Sequence, residues 1–468
     1  MTVFASKRKK SGLKLIWSFL NKMDNKTIYA LSTVMGKSGV AVIRVSGDRA
    51  FDIFSQMTDL DVQKITPRKM YFTTIFKNVS RETLDKVLIS GYKSPNSFTG
   101  EDIVEINCHG SKAVIKSVLN ALSSLNNFRI AEPGEFSRRA FYNGKMDLTE
   151  AEGLADLIDA ETELQQSVAL RQMSGTLFNL YKNWRSRLVE TLSFVEAYID
   201  FPDEDIPQNT VFKLQNNVFK VSQEIKEHLE NNNVEERLRD GFSVVISGPT
   251  NAGKSSLINA IAKRNVAIVS DIAGTTRDSL DCYVDLKGYP VVFSDTAGLR
   301  EASDEIERIG IDIALNKIKT ADFNIFLFDA HEDSPDIFSQ FLSSKNNYLI
   351  VANKAEDLSE AQKEVIKSQN VLLISAKENQ NIDVLLSKIY SYLSEQYSLS
   401  NANLITRQRY RECLSECLEN LERFDLNKQI ELAAEDIRLA CRAIGKITGE
   451  VEIGEILDKI FGTFCIGK

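Results

Sequence analysis

A glycine-rich loop between a short apolar stretch and a helical pattern constrains this chain more than any other feature. Residues 242–247 have the character of a buried strand, and residues 248–255 follow at once with the sequence GPTNAGKS. This sequence fits the pattern GxxxxGK[ST], in which backbone N–H groups and a helix N-terminus face phosphate oxygens. The pattern therefore predicts an α/β unit with a phosphate-binding loop at the end of a strand.

Individual side chains of this loop have expected roles. Lys254 is expected to contact the β- and γ-phosphates, and Ser255 to bind Mg²⁺. A chance glycine-rich loop is the weaker interpretation, because the sequence also indicates the strand and the helix that the motif requires. The nucleotide contacts expected from the loop are Asn251, Ala252, Gly253, Lys254, Ser255 and Ser256.

Two further segments lie where a nucleotide hydrolase needs them. The sequence DTAG at 295–298 follows an expected strand at 291–294, where the carboxylate suits Mg²⁺ through water and the glycine N–H suits the γ-phosphate. The sequence GTTRD at 274–278 lies between the two phosphate motifs, which favours a switch loop over a polar surface loop. The contacts expected from both are Asp295, Thr296, Ala297, Gly298 and, closing on Mg²⁺, Thr275 or Thr276.

Guanine is the base indicated by two later segments. The sequence NKAE at 353–356 stands where GTPases carry NKxD, whose acid accepts hydrogen bonds from guanine groups that adenine lacks. Glu356 is one methylene longer than Asp, so the contact needs local adjustment and a relaxed preference stays open. The segment at 375–377 resembles the guanine-supporting SAK loop. The base contacts expected here are Asn353, Lys354, Glu356, Ser375, Ala376 and Lys377.

The group that orients the attacking water is not evident from spacing. Ras-like proteins place a glutamine directly after DxxG, whereas this chain has Leu299, which has no polar group to orient water. Several acids follow in residues 300–307, and one of them is a candidate for the task, directly or through a bridging water. Spacing alone does not choose among them.

Periodicity indicates the elements of the remaining chain. Strands are expected at 40–45, 102–106, 242–247, 291–294, 324–329, 348–353 and 371–375, and helical sequence at 148–199, 211–239, 409–421 and 432–447. Strands and helices alternate from 242 to about 395, which is typical of a mostly parallel, doubly wound sheet. Helical sequence on both sides suggests that this α/β region is inserted into one helical domain.

Composition narrows the function classes. The net charge of −8 provides no overall attraction for nucleic acid, so RNA contact needs a local basic patch or a partner. None of the six cysteines forms a CxxC pair, which indicates a reduced intracellular protein without structural zinc, and no apolar run suits a membrane span. Residues 1–22 carry six basic residues and no acid; we favour an over-extended start over a transit peptide.

Several longer segments resemble the MnmE (TrmE) family of tRNA modification GTPases. They read NAGKSSLINA, AIVSDIAGTTRD, DTAGLREASDEIERIGI, PNSFTGEDIVEINCHG, PGEFSRRAFYNGKMDLTEAEGLADLIDA and FCIGK. The resemblance implies a multidomain α/β plus all-α protein with a P-loop GTPase domain inserted into a helical domain. The expected domains are an extension (1–22), an N-terminal tetrahydrofolate-binding and dimerisation domain (23–142), helical parts (143–239 and 396–468) and a G domain (240–395).

The resemblance also implies GTP hydrolysis activated by K⁺ when two G domains meet across their nucleotide faces. Asn251 stands at the position of a K⁺ ligand, and the other ligands implied are Ser270, Ile272 and Thr275. The loop that carries them contributes the nucleotide contacts Ser270, Asp271, Ile272, Ala273, Gly274, Thr275 and Thr276. The family's catalytic glutamate, which acts on the attacking water, corresponds to Glu307. Lys254 and Asn251 complete the implied catalytic set.

Folate is the second ligand that the resemblance implies. The family's binding positions fall on Arg44, Glu105, Lys145 and the terminal Lys468. Basic side chains suit the glutamate tail of a folate, and a carboxylate suits the amide and amino donors of its pterin. Cys465 lies in the same terminal segment, and catalysis, packing and a tRNA contact all stay open for it.

The resemblance also implies an overall activity that uses both the GTPase and the folate-binding domains. The resemblance implies a homodimer that works with MnmG, an FAD protein, in a heterotetramer or larger complex on tRNA. The product is a 5-(carboxymethyl)aminomethyl-type group on wobble uridine 34, with 5,10-methylenetetrahydrofolate (or 5-formyltetrahydrofolate) as carbon donor and GTP, Mg²⁺ and K⁺ as the other ligands. A bacterial cytoplasmic location is expected, or a mitochondrial one if residues 1–22 are a transit peptide. The alternative function is a K⁺-dependent GTPase of ribosome assembly.

Overall fold

The structure is a computed structural model that describes most of the chain. The described residues are 26–200, 208–230, 235–264, 281–295, 316–332, 334–338, 347–397, 407–426, 429–451 and 454–467. The described parts of Met1–Ala155 and Thr448–Lys468 form one compact unit, and those of Asp156–Ile447 form a second. The C-terminal segment thus belongs with the N-terminal region. The domain boundaries given above stay predictions.

A six-stranded mixed sheet forms the first unit. Its strands are β1 (Thr27–Leu31), β2 (Ser38–Ser46), β3 (Met70–Phe76), β4 (Thr83–Tyr92), β5 (Ile103–Gly110) and β6 (Phe128–Ile130). The order across the sheet is β3-β4-β5-β2-β1-β6, and among these strands only the β1–β6 pair is parallel.

The helices follow in chain order. They are α1 (Asp52–Met57), α2 (Lys112–Ser123), α3 (Glu135–Tyr142), α4 (Leu148–Asp159), α5 (Glu163–Met173), α6 (Thr176–Asp200), α7 (Gln208–Glu230), α8 (Glu235–Asp240), α9 (Lys254–Ala262), α10 (Glu360–Ser368), α11 (Ile382–Gln396), α12 (Gln408–Arg423), α13 (Ile430–Thr448) and α14 (Gly454–Gly462). Residues 316–320 are also helical. Short 3-10 turns lie at Val62–Lys64, Pro335–Phe338 and Ala355–Asp357.

Strand alternation gives the first sheet two different faces. Ile43 and Val45 of β2 are buried in one core with Val104 of β5 and with Ile115 of α2. α2 begins where the Ser111 hydroxyl accepts a hydrogen bond from the Val114 N–H. Because successive side chains of a strand point to opposite faces, the residues between these core positions lie on the face away from α2. That face carries the polar side chains of both strands.

The C-terminal segment completes the first unit. Phe461 and Leu457 of α14 pack with Leu148 and with Phe464 in a small apolar cluster. Beyond them, Ile466 pairs with Pro133 in an isolated bridge. Gly467 has a φ of +102°, and a Cβ at this position would collide with the Leu31 carbonyl oxygen, so the close approach to β1 requires glycine.

The second unit contains the predicted α/β sheet. Its strands are β7 (Phe242–Ser247), β8 (Cys282–Leu286), β9 (Tyr289–Asp295), β10 (Phe323–Asp329), β11 (Tyr348–Asn353) and β12 (Leu372–Leu373). The order is β12-β11-β10-β7-β9-β8, with the β8–β9 hairpin antiparallel and the other described pairs parallel. A mostly parallel sheet is therefore confirmed. The carboxyl ends of β7, β9, β10 and β11 meet at one edge.

A helical bundle forms the other part of the second unit. Its core contains Trp184 of α6, Val221 of α7, Leu414 of α12 and Ile444 of α13. His228 lies in the same bundle, where its Nε2 is 3.2 Å from the Tyr181 hydroxyl oxygen. Among the described helices of the chain, none is both long and apolar enough to cross a membrane.

The element predictions are confirmed with three refinements, one of which is that α7 and α8 together take the place of the single helical stretch expected at 211–239, with 231–234 outside the described residues. β7 and β11 have the expected bounds, whereas the strand expected at 371–375 is reduced to Leu372–Leu373. The helical sequence at 148–199 is divided into α4, α5 and α6. The Thr162 side chain and Gln165 form a capping box that starts α5, and Gly175, with a φ of +75°, precedes α6.

Candidate functional site

The predicted phosphate loop joins β7 to α9. Asn251 and Gly253 adopt left-handed backbone conformations, with φ of +67° and +91°. A Cβ at position 253 would collide with the Asn353 amide nitrogen, so glycine is required there. Lys254 Nζ donates to the carbonyl oxygens of Gly248 (3.0 Å) and Pro249 (2.8 Å). This places a buried ammonium group inside the loop that would surround a β-phosphate.

The candidate Mg²⁺ ligands lie side by side. Ser255 is at the start of α9, and Asp295 ends β9, which pairs with β7. The Ser255 hydroxyl donates to Asp295 Oδ2 at 3.3 Å. A hydroxyl and a carboxylate are the oxygen ligands that Mg²⁺ prefers, and both stand beside the phosphate loop. These residues fit the ion directly or through water.

Asn353 connects the loops of the base site. Its Nδ2 donates to the Ala252 carbonyl oxygen at 2.9 Å, and its Oδ1 accepts from the Ala376 N–H at 3.0 Å. The side chain is buried. One amide therefore holds the phosphate loop and the segment at 375–377 in a fixed relation.

Lys354 is fixed by the end of the neighbouring strand. Its Nζ lies 2.6 Å from Asp329 Oδ2, and its carbonyl oxygen is 3.1 Å from His331 Nε2. Burial raises the pKa of Asp329, but the hydrogen bond from Lys354 and other contacts outweigh it and hold that pKa below its usual range. The ion pair holds in place a residue that lies two positions before the candidate base-recognition acid.

Glu356 has a buried oxygen with no hydrogen-bond partner among the described residues, namely Oε2. Burial raises its pKa, yet hydrogen bonds from the Ser375 side chain and from its own backbone N–H, together with the charge of Lys377, lower the pKa overall. The carboxylate is therefore ionised at neutral pH. The longer side chain thus offers a free acceptor at the position where guanine donors are expected.

The first unit contains a second polar site. On the sheet face away from α2, Arg44 Nε donates to Glu105 Oε1 at 2.9 Å. The guanidinium group also lies 5.3 Å from the centre of the Phe98 ring and 6.0 Å from that of Phe136. Lys145 lies close to Gly100, which stands in the same loop as Phe98. The structure thus brings three of the four predicted folate residues to one loop and one sheet face.

A buried ion network supports this loop, and sequence reasoning missed it. Arg139, which is 3% exposed, pairs with Glu135 (2.9 Å) and with Glu101 (3.0 Å). Glu101 also accepts from the Ser46 hydroxyl at 2.8 Å, and that hydroxyl is 2.7 Å from the Thr99 hydroxyl oxygen. The four-residue spacing of Glu135 and Arg139 is the sequence signal that an ion pair on one helix would give.

The terminal segment lies at the end of β1. The Ser32 hydroxyl donates to the Gly467 carbonyl oxygen at 3.0 Å, and the Ser32 N–H donates to the Val42 carbonyl oxygen. Val42 is two residues from Arg44 in β2, so the segment approaches the strand that carries the second polar site. Cys465 is exposed.

Part of the predicted site lies outside the described residues. This holds for the switch and K⁺ segment, the end of the DTAG motif, the candidate water-orienting acid and the last residue. They are Ser270, Asp271, Ile272, Ala273, Gly274, Thr275, Thr276, Thr296, Ala297, Gly298, Glu307 and Lys468.

Two protein-family models match this chain. The model described as "GTP-binding protein TrmE N-terminus" matches residues 27–145. The model described as "MnmE helical domain" matches residues 148–465. Together they extend over both compact units.

Proteins named tRNA modification GTPase MnmE are similar over nearly the whole chain. The protein of Rickettsia rickettsii (strain Sheila Smith) is 44% identical over 446 residues, covering 94% of this chain and 100% of the relative. That of Wolbachia pipientis subsp. Culex pipiens is 45% identical over 447 residues, covering 95% and 99%. Among solved structures, a variant of Era from Aquifex aeolicus bound to GDP.AlF4- is 24% identical, covering 38% of this chain and 66% of that chain with a TM-score of 0.26.

Proposed function

Because the chain belongs to the MnmE family of tRNA modification GTPases, it is a GTP hydrolase, and we propose that it is activated by K⁺ and acts with MnmG on wobble uridine 34 of certain tRNAs. The product is a 5-(carboxymethyl)aminomethyl-type group, with a tetrahydrofolate as carbon donor. The observation that supports guanine as the base is the buried Glu356 Oε2, which has no hydrogen-bond partner within the described ranges and lies in the segment that follows Asn353.

Different described residues are proposed to bind the phosphates, the Mg²⁺ ion and the base of GTP. Lys254 exchanges its contacts with the Gly248 and Pro249 carbonyl oxygens for the β- and γ-phosphates, and so offsets their charge. Ser255, and Asp295 through water, would hold Mg²⁺, which would supply positive charge beside the phosphates. The Glu356 carboxylate accepts hydrogen bonds from the guanine N1–H and 2-amino group. Asn353 holds the segment at 375–377 and the phosphate loop in a fixed relative position.

The hydrolytic step is proposed from the family resemblance. Glu307 acts on the attacking water, directly or through another water, because Leu299 has no polar group. Asn251, exposed at the tip of the phosphate loop, serves as a K⁺ ligand together with Ser270, Ile272 and Thr275. The cation takes the place of an arginine finger when two G domains meet.

The folate is proposed to bind in the first unit. Glu105 accepts from the pterin donors, and Arg44, Lys145 and Lys468 surround the remainder of the molecule. Support comes from the Arg44–Glu105 pair and from Lys145, whose side chain lies close to Gly100. Cys465, exposed in the same unit, is proposed as a catalytic residue of this site. The protein acts as a homodimer, in complex with MnmG, in the compartment that holds the tRNA, the bacterial cytoplasm.

The test is GTP hydrolysis in KCl and in NaCl at equal ionic strength. We expect K⁺ to stimulate the wild type roughly tenfold or more, and Glu307→Ala to abolish that stimulation. Glu305→Ala, which removes an acid two residues away, is the matched control and keeps it. Equal rates in the two salts, or a Glu307→Ala variant that responds to K⁺ as the wild type does, would contradict the proposed mechanism.

A further inference from the structure

Three polar side chains stand in one row across the first sheet. Ser90 of β4 is directly opposite Glu105 of β5, and Glu105 is directly opposite Arg44 of β2. Directly opposite residues of antiparallel strands project from the same face, about 5 Å apart. Ser90 therefore lies beside the Arg44–Glu105 pair, on the face away from α2.

The Ser90 hydroxyl is buried and has no partner in the part of the chain that the structure describes. Ser90 is 3% exposed, and its Oγ has no hydrogen-bond partner among the described residues. On the same face, the Ser46 hydroxyl contacts Thr99 and Glu101. A buried hydroxyl without a partner costs free energy, whereas an alanine of the same shape would not. Hydrogen bonding within the described residues therefore does not explain the hydroxyl at position 90.

Glu105, which lies directly opposite Ser90, can accept more hydrogen bonds than Arg44 donates to it. Both contacts between this carboxylate and Arg44, from Nε and from a terminal guanidinium nitrogen, use Oε1 at 2.9 Å. Its second oxygen can accept further hydrogen bonds, since a carboxylate offers about four acceptor positions. An acceptor and a donor thus stand on neighbouring strands with the basic side chain of Arg44 at the other end of the row.

We propose that the Ser90 hydroxyl is a further binding residue of this site, which donates a hydrogen bond to an oxygen or nitrogen acceptor of a pteridine ring whose donors are bound by Glu105. A planar heterocycle of this kind carries amide and amino donors next to ring acceptors, which matches an adjacent carboxylate and hydroxyl. The distance from Ser90 to Arg44 is two strand spacings, about 10 Å, which suits a two-ring heterocycle and its first substituent. The inference rests on the proposed folate site.

The test is calorimetric titration of the full-length protein with 5-formyltetrahydrofolate. We expect Ser90→Ala to weaken binding roughly three- to tenfold, the effect of one lost hydrogen bond, and Ser90→Thr, which keeps a hydroxyl, to stay within about twofold of the wild type. Since the hydroxyl has no partner within the described protein, Ser90→Ala should leave the Tm unchanged or raise it. Ser124→Ala, at the end of α2 on the other face of the sheet, is the matched control.

The outcomes separate this inference from the folate site itself. If Ser90→Ala binds as tightly as the wild type while Glu105→Ala loses binding, the site stands and the role of Ser90 is wrong. If Ser90→Ala lowers the Tm by several degrees, or if Ser90→Thr binds no better than Ser90→Ala, the hydroxyl is structural and the inference is overturned. If the wild type does not bind the folate, the proposed site and the inference fall together.

Discussion

The nucleotide site and the polar site of the first unit are both built on a sheet, yet they use different parts of it. The nucleotide site occupies loops at the carboxyl ends of parallel strands, where backbone groups and left-handed residues such as Gly253 contribute. The polar site occupies the middle of antiparallel strands, where Arg44, Glu105 and Ser90 depend on register. A shift of one residue in β5 would move Glu105 to the other face.

The largest expected effect tests whether the two sites are independent. We expect Lys254→Ala to lower GTP affinity and hydrolysis by roughly a thousandfold, because the buried ammonium group is lost from the phosphate loop. Folate binding should stay within about twofold, since the residues of that site lie in the other compact unit. Fluorescent GTP titration and folate calorimetry measure the two. Lys263→Ala, at the end of α9, is the control, and parallel loss of both ligands would contradict independence.

The next effect concerns the base. Glu356→Ala should reduce the preference for GTP over ATP on the order of a hundredfold, because the carboxylate that accepts the guanine donors is gone. Glu356→Asp keeps the carboxylate and should stay within about fivefold of the wild type. Competition between GTP and ATP for the labelled nucleotide measures the preference. An unchanged preference in Glu356→Ala would show that the unpartnered oxygen has no part in base recognition.

Glu105→Gln tests the other site with a smaller expected change. The substitution keeps the shape but removes the charge that pairs with Arg44, so folate affinity should fall roughly ten- to a hundredfold. GTP hydrolysis in KCl should not change. Glu82→Gln, which removes the charge of an exposed carboxylate paired with Lys77, serves as control. A Glu105→Gln variant with normal folate affinity would remove the carboxylate from the proposed site.

We expect acid to destabilise the two units over different pH ranges. Burial, aided by the charge of Arg411, lowers the pKa of His228 to about 4 from 6.5, so the neutral form stabilises the bundle above pH 6.5 and this stability is lost as the pH falls toward 4. Between pH 7 and 5 the loss is about 2 kcal/mol. In the first unit, burial raises the pKa of Glu135, but its contacts with Arg129, with the Glu132 N–H and with Arg139 lower it overall. The stability that the ionised Glu135 contributes to the first unit is therefore lost only below about pH 4.5.

Trp184 reports on the first of these windows, because its ring lies 5.5 Å from that of His228. Urea unfolding followed by its fluorescence, in a Trp17→Phe background, should show the loss between pH 7 and 5. His228→Gln should be nearly insensitive to pH over that range. Equal pH dependence of the two proteins would assign the acid sensitivity to other groups.

Sequence reasoning succeeds where neighbouring residues in the chain are also neighbours in the site. The phosphate loop is contiguous, and the strand before it is predicted to the residue, because a short apolar run and a glycine-rich turn are local signals. Asn353 and Ser255 belong to the same kind of local motif, and the structure places them beside Ala252 and Asp295. Their roles in binding stay predictions.

The polar site gives no such local signal. Arg44 and Glu105 are 61 residues apart and resemble ordinary surface charges, and only the pairing of β2 with β5 brings them together. Ser90 is less visible still, since a serine within a strand carries no motif and its importance depends on burial without a partner. The Arg139 network was missed for the same reason, because Glu101 joins it from another part of the chain.

The closure of the first unit by the C-terminal segment has a consequence during synthesis. The sheet strands and Leu148 leave the ribosome early, whereas Leu457 and Phe461, which cover Leu148, follow only after residues 156–447. At 5–20 residues per second, about 290 residues take roughly 15–60 s. Throughout that interval the nascent N-terminal region lacks the helix α14 that later covers this apolar surface.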